Sequence, residues 1–88
     1  MEFFDLLYRL RKEMFNRYQN LTTQQETHCY VLAIIICSKI CNSDNYCGSE
    51  ELVRELHLLK CAEELFSEVP INDNEIVQII DTCYKKVR

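Results

Sequence analysis

A single glycine, Gly48, and a single proline, Pro70, punctuate a chain of 88 residues. An all-β domain of this length needs many tight turns, and turns draw on glycine, proline and asparagine. The scarcity therefore points to few connections and long helices. Tryptophan is absent. So is any long apolar run: the longest, Cys29 to Cys37, is nine residues, against the ~20 that span a bilayer. One glycine cannot build a phosphate-cradling loop. The opening "MEFFDLLYRLRKEM" carries acids before bases, the reverse of a secretory signal. No membrane partner is expected, and the reading is a protein of the cytoplasm or nucleus.

What is present has the balance of a globular domain: 48% hydrophobic and 27% charged residues. The net charge of −4 is segregated. Residues 1–42 hold five Lys/Arg against four Asp/Glu, residues 43–81 two against ten, and residues 82–88 add three bases. The acidic middle repels phosphate and weakens any reading in which the whole surface grips nucleic acid.

Apolar periodicity divides the chain into four helical segments. In residues 2–18, Phe3, Leu6, Leu7, Leu10, Met14 and Tyr18 form an inner stripe. Phe4, Tyr8, Arg11 and Phe15 form a second, mixed stripe. Residues 23–42 begin with Thr23 and Glu26 in capping-box spacing. Their β-branched centre, "CYVLAIIIC", also fits a buried strand, but the cap and the missing turn residues favour helix. Apolar residues then cover nearly the whole circumference, so this second helix should be enclosed at the centre. Residues 42–48 are a polar turn. Residues 49–68 read as a third helix capped by Ser49 and ended by Pro70, with Leu52, Leu56, Leu59, Ala62 and Phe66 inward. Val53, Leu58, Cys61 and Leu65 widen that stripe, and Glu55, Glu63, Glu64 and Glu68 face water. Asn72 and Glu75 announce a fourth helix, with Ile71 poised to staple onto Ile76. Its stripe is Ile76, Ile80, Cys83 and Val87, and Lys85, Lys86 and Arg88 suit its C-terminal end. The expectation is one all-α domain over residues 1–88, a compact four-helix bundle-like fold with the second helix central.

Six cysteines invite a metal reading. Cys37 and Cys41 share a helix face, as do His57 and Cys61. With Cys47 these residues contain a set that zinc could use, giving a zinc-stabilised domain as one alternative. Folding the second helix against the third, however, sets the two pairs roughly two turns apart, on the order of 10 Å. No paired C-x-x-C motif is present. A Cys29–Cys61 or Cys41–Cys47 disulfide fits the same counting, but a reducing compartment disfavours it. The expectation is buried free thiols and no cofactor. The two histidines, His28 and His57, stand in no local nucleophile arrangement, and the chain is not expected to be an enzyme.

The leading expectation is a non-enzymatic protein-interaction module. It self-associates, as a homodimer or larger oligomer, or takes a partner protein. The candidate face is Phe4, Tyr8, Arg11, Phe15 and Tyr18, or the acidic face of the third helix. A second alternative is a nucleic-acid-binding dimer that uses Arg9, Arg11, Lys12 and Arg17 among the aromatic residues of the first helix. In its wealth of isoleucine, asparagine and cysteine at short length, the chain resembles in composition the small viral accessory proteins of AT-rich genomes. No shared motif accompanies that likeness.

Overall fold

A computed structural model describes residues 2–42, 46–69 and 71–84, without the side chain of Cys61. The turn residues Ser43 to Asn45, the stop at Pro70 and the basic end with Lys85, Lys86, Val87 and Arg88 lie outside the described residues. Five helices follow one another: α1 (Phe3–Arg17), α2 (Thr23–Cys41), α3 (Ser49–Leu56), α4 (Lys60–Glu68) and α5 (Asp73–Cys83). The described residues contain no strand. The octet Tyr30 to Cys37, ambiguous by propensity, is helical.

Helix α1 buries Leu6, Leu7, Leu10 and Met14 of the inner stripe read from its periodicity, and Phe3 and Tyr18 at its ends are half-buried. Helix α2 starts at Thr23, as expected, but its cap differs. Thr22, not Thr23, is the cap: its Oγ1 accepts from the Gln25 N–H at 3.1 Å, and the Gln25 Oε1 accepts from the Thr22 N–H at 3.0 Å. Both threonines fit the capping-box pattern. Leu21, just before the cap, packs on the core.

The third expected helix is two. After Leu56 the Leu58 and Leu59 N–H groups bond three residues back, to Glu55 and Leu56, and Leu59 turns extended (φ −93°, ψ 123°) before α4 begins. The physical reason is phase. At about 100° per residue, the buried Leu52, Val53 and Leu56 share one arc. The buried Ala62, Leu65 and Val69 centre about 150° away on a straight helix. One rod cannot bury both sets, so the chain breaks and re-aims. The break also corrects Leu58, expected inward and in fact 83% exposed. Ser49 is not the cap of α3 either: Gly48 is, at φ 119°, the one positive-φ residue described. Ser49 is instead the first helical residue, and buried. In α5, Asn72 Oδ1 accepts from the Glu75 N–H at 2.9 Å, as read.

Helix α1 packs on α2 and α5, α2 also on α4, and α5 also on α3. With α3 and α4 joined through the break, the elements close a circuit around one core of Leu6, Leu10, Met14, Leu32, Ile36, Leu56, Ile76, Ile79 and Ile80. The Cα radius of gyration, 12.1 Å, is about that of a compact chain this long. Helix α2 is thus one member of a circuit rather than an enclosed axis. It buries Cys29, Leu32, Ala33, Ile36, Cys37 and Ile40. Ile34 and Ile35 are half-buried, and Tyr30 and Val31 are exposed.

Candidate interaction surface

The second stripe of α1 lies on its solvent side. Steps of four, three and four residues place Phe4, Tyr8, Arg11 and Phe15 within one narrow arc. Phe4 is 78% exposed and Tyr8 64% exposed. Phe15 is half-buried against the core. Phe3 anchors the N-terminal end, its ring meeting that of Phe4 edge-on at 5.6 Å.

Arg11 carries the surface across to α2. Its guanidinium carbon lies 5.6 Å from the Phe15 ring centre and 5.2 Å from that of Tyr30. The Lys12 ammonium sits 5.9 Å from the Tyr8 ring. These are cation–π distances. A shallow groove between the helices is lined by Arg11, Phe15, Thr23, Glu26, Thr27 and Tyr30. Among the described residues no carboxylate pairs with Arg11 or Lys12, and Arg11 donates no hydrogen bond. Tyr30 was assigned to an enclosed helix by its apolar surroundings. The signal for exposure was there: Thr27, Tyr30 and Ser38 fall on one side of α2.

Tyr18 belongs to a different place. Half-buried at the end of α1, its hydroxyl donates to the Glu75 carboxylate at the start of α5. Burial first, and that carboxylate next, push its ionisation well above the ordinary tyrosine range. It joins the end of α1 to the start of α5. Arg17 is similarly occupied, with Nε 2.8 Å from Glu13 Oε1 and Nη1 3.2 Å from Gln78 Oε1. Arg9 projects about 160° around α1 from Arg11. The four cations of α1 therefore do not form one line.

The metal alternatives are dispersed. Cys37 is buried, and its pKa is pushed up to about 12 by burial, then by Cys41 and Cys83 nearby. A thiol held protonated is a poor zinc ligand. Cys41 is an exposed free thiol, and Cys47 is exposed. His57, at the α3–α4 break, has Nε2 2.8 Å from Asp73 Oδ1 and its ring stacked 4.6 Å from Phe66. Among the described residues no three His, Cys, Asp or Glu side chains gather to hold an ion. His28 lines a surface groove with Gln24, Glu64 and Glu68, its Nδ1 buried with no hydrogen-bond partner. Among the described residues no helix is long and apolar enough to cross a membrane. Comparison with protein families, known proteins and solved structures finds no match.

Proposed function

We propose that this protein is a non-enzymatic interaction module that docks a protein, a partner or a second copy, on the α1–α2 surface of Phe4, Tyr8, Arg11, Phe15 and Tyr30. The observation that carries the reading is Phe4 and Tyr8. Two large aromatic side chains stand far out of the core on a helix that already buries Leu6, Leu7, Leu10 and Met14. Leaving such rings in water forgoes about 1.5–3 kcal/mol per large apolar side chain. Aromatic and arginine side chains are the groups that dominate interface energies.

The nucleic-acid reading is weaker. Strong binding to phosphate backbone draws on about 6–10 cationic contacts. Here Arg17 is neutralised by Glu13, and Arg9 is turned away from Arg11 and Lys12.

The test is a photocrosslinking amino acid placed at Phe4 or at Tyr8 in the full chain, in the cells that produce it, with exposed Glu63 as the control site. A discrete adduct is expected at positions 4 and 8 and none at 63. An adduct of twice the chain's mass is a second copy, and any other mass is a partner. Purified, the captured protein should bind the chain directly and lose binding to Tyr8→Asp. Absence of adducts at both positions overturns the proposal.

A further inference from the structure

Resting on that docking surface, we infer that its occupant is an acidic amphipathic helix, one that sets a carboxylate beside its apolar side chains. The argument begins with Arg11. Its guanidinium lies over two rings from two helices, Phe15 of α1 and Tyr30 of α2. A guanidinium offers five N–H donors in a rigid planar fork. The two rings engage the group at its central carbon, and its N–H donors remain for a partner. Arg11 is exposed, and among the described residues it spends none of those donors. A fork held in place and unsatisfied is a pre-organised receptor for a carboxylate, with the ordering cost met before binding.

Lys12 repeats the pattern one position on. Its ammonium lies over the Tyr8 ring with no carboxylate partner among the described residues. The surface thus sets two cations, Arg11 and Lys12, between rings toward either end. From Phe4 to Phe15 it runs about 16 Å, three turns of a facing helix. An occupant with apolar side chains on one face meets Phe4, Tyr8 and Phe15, and carboxylates along its flank meet Arg11 and Lys12. A basic or nucleic-acid occupant lacks this match. The first meets like charge, and the second finds two cations where phosphate binding draws on many.

Peptide probes test this on the full chain. Three amphipathic peptides of about 18 residues share one leucine face and differ only in flanking Glu, Gln or Lys. Binding is followed by fluorescence anisotropy at about 50 and about 300 mM salt, alongside a labelled RNA duplex. The Glu peptide should bind about tenfold tighter than the Gln peptide, which is the size of one good charge pair. That advantage should shrink at the higher salt, and the Lys peptide should bind weakest. In Arg11→Gln the Glu peptide should lose most of that advantage, and in Arg11→Gln with Lys12→Gln all of it, while the Gln peptide is unchanged. Arg11→Lys, which keeps charge but loses the fork, should recover only part. Unchanged circular dichroism confirms that each variant folds.

Equal binding of Glu and Lys peptides, a Glu preference undiminished in Arg11→Gln, or tighter binding of the duplex each overturns the inference. No binding by any peptide, with crosslinks at Tyr8 intact, overturns the acidic helix and leaves the docking surface standing. A crosslinked adduct of twice the chain's mass does the same. Loss of both peptide binding and crosslinks removes the two together.

Discussion

Single residues carry more chemistry inside this core than composition suggests. Burial holds Cys37 up to about 12 and Cys83 up to about 11, against the ordinary 9.0, and holds Tyr46 up to about 12 against 10.0. In each case the folded state keeps a proton that the unfolded chain gives up. That stabilisation is complete below about pH 9. As pH rises past 9 the unfolded thiols release their protons and the folded ones do not, so stability falls toward 11 and 12. Urea midpoints should therefore be flat from neutrality to about pH 8.5 and then decline steadily. Cys83→Ala should reduce the slope above pH 9, and an unchanged slope would count against the buried thiol as its source. At the same scale Arg11 shows the limit of periodicity. Its place in the outer stripe was legible, but its seat over Tyr30 was not, because that ring comes from another helix.

At the scale of elements, the first, second and last helices could be read almost to their ends. Their apolar residues keep phase, and two of them carry side-chain caps, Thr22 with Gln25 and Asn72 with the Glu75 N–H, although α1 has none and the sequence offers Thr23 as readily as Thr22. The α3–α4 break could not be read from punctuation, since His57, Leu58 and Leu59 include neither glycine nor proline. It was encoded in the drift of the stripe, which the run Leu52, Leu56, Leu59, Ala62 and Phe66 smooths over. The break separates two neighbouring leucines by environment. Leu56 is fully buried and Leu58 is 83% exposed. Leu56→Ala should cost about 2–5 kcal/mol, and Leu58→Ala should stay within about 0.5 kcal/mol. Comparable losses for the two in chemical denaturation would argue that α3 and α4 are one continuous helix.

The whole molecule is a closed circuit rather than the enclosed-axis bundle that the apolar centre of α2 suggested. That centre led to an over-reading. An apolar run around a helix says that something covers it, and α1 and α4 cover part of α2, leaving Tyr30 and Val31 at the surface. The single core ties the first helix to the last. Tyr18 reaches Glu75 and Arg17 reaches Gln78 across 57 and 61 residues of sequence. No element can leave without opening the circuit, so unfolding should be all-or-none. Tyrosine fluorescence and far-ultraviolet circular dichroism should give coincident urea transitions. Separated midpoints would show that α3 and α4 form a subdomain of their own.

Gly48 opens α3 at φ 119°, with empty space where a side chain would begin. The barrier to substitution there is handedness and not room. An L-alanine would be strained in open solvent, whereas its mirror image would be at ease with the same backbone. At this one joint the fold is intolerant of the stereochemistry that ribosomes supply, and glycine is the single coded residue without any.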